Sequence, residues 1–347
     1  ARAAMQGHQC PDDAALARYE GWLEVARAHG LDSHVIGRDA LARLLPHQAG
    51  WAGALMTPSD MRAEPGQAVP AIAGLARAEG VTIREHCAIR ALDVQDGRVT
   101  GVVTEEGPIR ADRVLLAGGA WSGLFAANAG LSLPQLSVRA TVAATEPMPD
   151  FWSGAATDAK FAFRRRADGG YTLAPGMAHD FWVGPAAARH LRTYLPMIRR
   201  DLRLTRLQTS APRGYPDAWT TPRRWKPDAA SPFEAMRVLS PDPNPARLAR
   251  LQSDFAAAFP QIGRPRLRAA WAGMIDTMPD QVPVLDESPV RGFFVATGLS
   301  GHGFGIGPGI GRVMAEMMQG RSPAHDLRRF RFARFSDGSP VRLGPDL

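Results

Sequence analysis

Thr297-Gly298-Leu299-Ser300-Gly301-His302-Gly303-Phe304-Gly305-Ile306-Gly307-Pro308-Gly309-Ile310-Gly311-Arg312 is the stretch on which the reading of this chain turns. Just before it, Phe293-Phe294-Val295-Ala296-Thr297 is apolar without alternation, the pattern of a strand covered on both faces of a parallel sheet. Just after it, a helical pattern runs to Met318. A buried strand therefore passes through a loop with few side chains into a helix. Glycines let a flat or anionic ligand approach the backbone. The free N–H groups and positive dipole end of the helix then favour negative charge there. A tight strand-to-helix packing turn is the alternative. It accounts for one or two glycines, but not for seven around an embedded histidine.

Working outward, Arg113–Ala117 is a second short apolar run of the doubly covered kind, ending in Gly118-Gly119-Ala120-Trp121-Ser122. Ile89–Val94 and Val99–Thr104 flank Asp96-Gly97, a hairpin signal because that turn needs positive φ. Upstream, a helix capped at Asp12 places Leu16, Tyr19, Trp22, Leu23 and Ala26 on one face and stops at Gly30. A short helix starts at Asp39 and ends before Pro46. A third spans Glu64–Glu79, with Val69, Ile72, Ala73 and Ala76 expected inward, and Val81–Ile83 is expected to be a strand.

The middle has a different character. Val138–Thr145, Lys160–Arg166 and Tyr171–Ala174 read as strands, the last two joined by a turn at Asp168-Gly169-Gly170. A helix is expected from about 186 to 204, broken at Pro196, and a strand over Arg268–Ile275. The expectation is an α/β domain formed by 1–135 and 270–347, interrupted by a mostly antiparallel β domain over 136–269. Residues 31–60 are assignable to either.

Composition excludes several classes. The chain has 347 residues, 45% apolar and 22% charged, as globular two-domain proteins do. Two cysteines, Cys10 and Cys87, with no CxxC pair, give neither a disulfide framework nor a four-cysteine zinc site, so no metal is expected and a reducing, cytoplasmic setting is the default. The net charge is +7, but all except two of the 41 basic side chains are arginine and they are scattered. That is a composition bias rather than a nucleic-acid surface, and no nucleic-acid partner is expected. No stretch reads as a transmembrane segment, and the chain opens at Ala1 without an initiator Met or an apolar signal core, as a piece of a longer or processed protein would. There is no G-x-G-x-x-G, and neither lysine follows a glycine, which excludes a P-loop.

Three segments carry a family resemblance. Leu115-Leu116-Ala117-Gly118-Gly119-Ala120-Trp121-Ser122 resembles a strand end of the D-amino-acid oxidase, glycine oxidase and sarcosine oxidase superfamily of FAD-dependent oxidoreductases. Trp271-Ala272-Gly273-Met274-Ile275-Asp276-Thr277-Met278-Pro279-Asp280 resembles the segment before that family's last flavin strand, and Gly298–Gly311 resembles its GxSGHGF motif. The resemblance implies an α/β FAD-binding domain of the glutathione-reductase-like kind with an inserted antiparallel substrate domain. It also implies oxidation of a C–N bond in an amine or amino acid by hydride transfer to flavin N5, with a small-molecule substrate and an unspecified electron acceptor. Family members begin with a βαβ unit bearing G-x-G-x-x-G, which this sequence lacks. The chain by itself is therefore expected to bind FAD weakly and turn over little, and a flavoprotein piece or subunit without activity of its own is the alternative.

By position, Ala117, Gly118 and Trp121 would line the pyrophosphate and ribitol side, and Ile89 would meet adenine. Gly298 and the Ser300–Ile306 segment, that is Ser300, Gly301, His302, Gly303, Phe304, Gly305 and Ile306, would wrap the isoalloxazine. Three departures matter. A carboxylate-anchoring Arg of the family corresponds to Ile275, a Lys of sarcosine oxidases to Gly305, and their flavin-linked Cys to Gly273. The resemblance thus implies non-covalent FAD and puts glycine, D-alanine and sarcosine in doubt as substrates. His302 and Asp276 are the candidate catalytic residues. His302 would position substrate or tune the flavin, unless it is merely satisfied within the loop. Asp276 would pair with a cationic amine, unless it is a strand-end acceptor. Arg62 and Arg164–Arg166 read as solvated or cofactor-edge groups.

Overall fold

A computed structural model describes residues 2–3, 6–10, 12–176, 178–201 and 205–344. The chain forms two compact units. One comprises 1–83, 140–179 and 241–273, and the other 84–139, 180–240 and 274–347. This partition groups 1–83 with the antiparallel strands and 180–240 with the α/β segments, where the sequence had suggested 1–135 with 270–347. Two of the boundaries fall inside the long strands Leu136–Thr145 and Leu267–Thr277, and a third inside His179–Trp182.

The first unit is built on a sheet running His34–Gly37, Gly53–Thr57, Gln6–Cys10, Ala155–Thr157, Phe161–Arg165, Tyr171–Pro175 and then residues 143–144. Pairing is antiparallel except between Gln6–Cys10 and Ala155–Thr157. Alternation decides which face is covered: Phe161, Phe163, Tyr171 and Leu173 are all buried. They meet Phe255 and Phe259 at the end of the helix Pro245–Ala258, which Asn244 caps by accepting the N–H groups of Ala246 and Arg247. The turn between the paired strands sits at Gly169, φ +87°.

The helix Asp13–Ala28 buries Leu23 and Ala26 and ends at Gly30, as its pattern implies. Two expectations fail here. The helix Pro65–Ala78 forms, but none of its residues is buried, and Val69, Ile72 and Leu75 are more than half exposed. Val81–Ile83 forms no strand. A strand needs a neighbour for its N–H and C=O groups, and an apolar helical stripe needs a sheet to cover it; among the described residues neither is present.

In the second unit, Ile89–Gln95, Arg98–Thr104 and Gly107–Arg110 form an antiparallel meander. Its first turn has positive φ at both Asp96 and Gly97, which is why Asp-Gly stands there. A second sheet runs Val284–Glu287, Phe293–Thr297, Val114–Leu116. The middle strand is buried at every residue and pairs in parallel with Val114–Leu116. The latter is an edge strand with Leu115 partly exposed, so the expected cover on both faces is absent. The helix Gly303–Met318 packs through Met314 against Leu285, Phe294 and Ala296. A further helix, Pro185–Asp201, continues through Pro196 instead of breaking; residues 202–204 lie outside the described residues. Proline deprives the carbonyl four residues back of its partner, and Arg192 is exposed, so water can replace that bond.

Among the described residues no helix is long and apolar enough to cross a membrane, and no group of three His, Cys, Asp or Glu side chains could hold a metal ion.

Candidate functional site

The strand Phe293–Thr297 delivers the chain into a loop with three left-handed residues in four: Gly298 (φ +77°), Ser300 (φ +49°) and Gly301 (φ +89°). A Cβ on Gly298 would lie 2.2 Å from Met278 Cγ, so only glycine fits. Ser300 donates its N–H to the Asp276 carbonyl (3.0 Å), and His302 donates its N–H to the Leu299 carbonyl (2.9 Å). His302 stands at the N-cap of Gly303–Met318 without a side-chain cap, and its ring is exposed. A Cβ on Gly303 would press on Leu299 Cδ1 at 2.7 Å. At Gly305, Gly307, Gly309 and Gly311 an added Cβ would meet nothing within 4 Å. Phe304 and Ile306 are also exposed. The first turns of this helix thus present bare backbone and open space.

A buried polar node anchors the loop. Asp276 Oδ2 accepts from Gly298 N (2.6 Å), Thr297 Oγ1 (3.0 Å) and Gln135 Nε2 (3.0 Å). The Gln135 amide also donates to the Gly119 carbonyl (3.0 Å) and to Thr297 Oγ1 (2.8 Å), and its Oε1 accepts Gly123 N (2.7 Å). One amide therefore stitches the loop after Val114–Leu116 to the loop after Phe293–Thr297. Tyr194 reinforces it: its hydroxyl accepts Leu136 N (3.1 Å) and donates to the Thr277 carbonyl (2.7 Å). Burial pushes this phenol well above its ordinary range, so it remains protonated. With Oδ2 taken by three donors, Asp276 has the contacts of a residue that shapes the loop.

The second half of the site is a cavity of about 820 Å³. Ile89, Ala117, Gly118 and Trp121 all line it. Trp121 is held edge-on by Phe233, with centroids 5.5 Å apart. A Cβ on Gly118 would lie 3.2 Å from Ser122 Oγ, a fully buried hydroxyl with no hydrogen-bond partner among the described residues. At the rim, the Arg237 guanidinium hydrogen-bonded to Glu105 (2.6 Å) holds that carboxyl down at about 2. Arg90, bonded to Glu234 (2.9 Å), does the same there, also to about 2.

The nominated residues thus fall into two groups. Ile89, Ala117, Gly118 and Trp121 surround the cavity, and Gly298–Ile306 form the loop and helix start. Gln135 and Thr297, which sequence reasoning missed, join them. Gln135 follows Pro134 in an irregular segment without periodicity, so no pattern marks it. Arg62, Arg164 and Arg166 are bonded to groups of the protein itself. Arg164 pairs with Glu64 (3.1 Å), Arg166 with Asp168 (3.1 Å), and Arg62 donates to the Arg165 carbonyl.

Residues 5–317 match the model of the family described as FAD dependent oxidoreductase. The chain belongs to that family. A D-amino acid dehydrogenase 2 of Mesorhizobium japonicum is 27% identical over 304 residues, covering 86% of this chain and 60% of that protein. The chain thus spans about 60% of the length of this curated relative. The structure of an L-amino acid deaminase from Proteus myxofaciens in complex with anthranilate superposes with a TM-score of 0.90 at 26% identity, covering 97% of this chain and 76% of that one. Glycine oxidase from Geobacillus kaustophilus shares the fold, with a TM-score of 0.72 at 17% identity over 96% of this chain and 75% of that one.

This member of the FAD dependent oxidoreductase family has the fold that the resemblance implied, an α/β FAD-binding domain with an antiparallel β substrate domain. Its residues also fit the cofactor. The uncovered glycine face of Gly303–Met318, the orphaned Ser122 hydroxyl and the cavity beside Gly118 are features that a flat, extended, anionic group would complete.

Proposed function

We propose that the chain holds FAD non-covalently and serves the oxidation of a C–N bond in an amino acid or a secondary amine. The observation that carries this reading is the bare glycine face at the start of Gly303–Met318, locked to the Gly118–Gly123 loop through Gln135 and Asp276. When bound, the flavin supplies the hydride acceptor at N5, and the imine product hydrolyses in water. The protein's share is orientation. Unpaired N–H groups of the helix start favour negative charge at the flavin's C2 carbonyl side. Asp276 acts as a positioning residue through Gly298 and Thr297, and His302, whose ring has no hydrogen-bond partner among the described residues, is the group available to substrate. Ile275 places its methyl carbons 3.8 and 3.9 Å from the position of a Cβ on Gly301, so an apolar surface stands at the position to which the family resemblance assigns a carboxylate-anchoring arginine. That favours a substrate with an apolar side chain whose carboxylate is held elsewhere.

One observation favours a second reading, a flavoprotein piece inactive by itself. Leu115, Val69, Ile72 and Leu75 expose apolar surface that a further segment or chain could cover. Flavin absorbance after titration with FAD, followed by anaerobic addition of a panel of D- and L-amino acids and N-methyl amino acids, separates the two. Bleaching of bound flavin by one class supports the enzyme. Flavin bound but never bleached, or no flavin bound at all, contradicts it for this chain.

A further inference from the structure

A second cavity of about 340 Å³ lies within the 84–139, 180–240 and 274–347 unit, apart from the glycine loop. Its floor is apolar: Leu124, Leu133 and Leu136 are buried there beside Ala127. Its other side carries the guanidinium groups of Arg189, Arg223 and Arg224, with the His190 imidazole among them. Arg223 is already neutralised by Asp217 (2.9 Å), a carboxylate that also accepts Ala186 N at the start of Pro185–Asp201 (2.8 Å). Among the described residues the other two guanidinium groups have no carboxylate. Arg224 donates only to the Asn128 carbonyl (3.1 Å), and Arg189 has neither a hydrogen bond nor an ion pair among the described residues. Burial, and the charge of Arg189 beside it, push the His190 imidazole down, so it is neutral at pH 7 and able to donate or accept.

We propose that this cavity binds a small organic carboxylate with an apolar body, the body on the leucine floor and the carboxylate between Arg189 and Arg224. The volume sits at the lower end of small-molecule sites, about 300–1,000 Å³. An inorganic anion would leave the apolar floor uncovered, and a neutral hydrocarbon would leave the two guanidinium groups unanswered. Arginine suits this head group because its planar fork matches a carboxylate. The space borders the candidate flavin site through Ala120, Gly123 and Gln135, but no residue of Gly298–Gly311 lines it, so its ligand is distinct from a group lying on the glycine loop.

Isothermal titration of the protein with phenylacetate tests the proposal, with inorganic phosphate and benzyl alcohol as probes carrying only the charge or only the body. Saturable phenylacetate binding is expected, at least tenfold tighter than either control. The Arg189→Ala/Arg224→Ala double variant changes only exposed side chains, so it should fold, and should bind at least tenfold more weakly. Ala127→Phe should abolish binding by filling the floor. Absence of saturable binding overturns the proposal. So does an affinity that the double variant leaves within twofold, or phosphate binding as tightly as phenylacetate.

Discussion

The aromatic centre of the first unit and the glycine-rich end of the second are built on opposite principles. In the first, Phe151, Phe161, Phe163, Tyr171, Phe255 and Phe259 fill space with rings whose centroids lie 4.6 to 6.4 Å apart. Stability there comes from packed side chains. In the second, side chains are withdrawn. Gly301, Gly305, Gly309 and Gly311 expose backbone, and order comes from a few buried hydrogen bonds centred on Gln135 and Asp276. Damage to the first region should therefore appear as lost stability, and damage to the second as lost ligand.

The largest effect separates them. Phe255→Ala removes a fully buried ring from the aromatic cluster and should cost about 3–5 kcal/mol in urea denaturation. A cost under about 1 kcal/mol would mean that the cluster is not the stabilising core. Gln135→Leu comes next. It leaves the Gly123 N–H without its partner and strips one donor each from the Gly119 carbonyl and Asp276, so about 2–3 kcal/mol and a clear loss of flavin affinity should follow together. Stability lost with affinity retained would show that the stitch does not shape the site.

A smaller effect depends on pH. Glu105 and Glu234 are held at about 2 against an ordinary 4.5 by their arginine partners. A depressed carboxylate contributes fully above its unfolded value and loses that contribution as pH falls from about 4.5 towards 2. The difference in Tm between wild type and Glu105→Gln should therefore be present at pH 6 and shrink on acidification. A difference constant from pH 6 to 2.5 would show that the Arg237 pair does not stabilise the cavity rim.

Legibility in the sequence follows the same division. The Asp96-Gly97 hairpin, the strand Phe293–Thr297 and the helix to Met318 were legible because local periodicity and turn chemistry determine them. Burial was not legible for Val114–Leu116 or for the apolar stripe of Pro65–Ala78, because a pattern records what a face is suited to cover and not whether its partner is present. At the site, glycines announced themselves through their spacing. Gln135 did not, because its role rests on bonds to Gly119, Gly123, Asp276 and Thr297, up to 162 residues away in sequence. Asp276 was visible as a polar residue at a strand end, but only its three donors show what occupies Oδ2.

The central claim is that flavin lies on the bare glycine face of the helix Gly303–Met318. Gly303→Val would confound two effects, since a Cβ there already presses on Leu299. Gly305 is the cleaner position, because an added Cβ meets nothing within 4 Å and a side chain gains helix propensity over glycine, by up to about 1 kcal/mol. Flavin-fluorescence titration of wild type and Gly305→Leu, with Tm measured on the same samples, is the direct test. The account predicts flavin affinity at least tenfold weaker with Tm unchanged or raised. Equal affinity in the two proteins would contradict it.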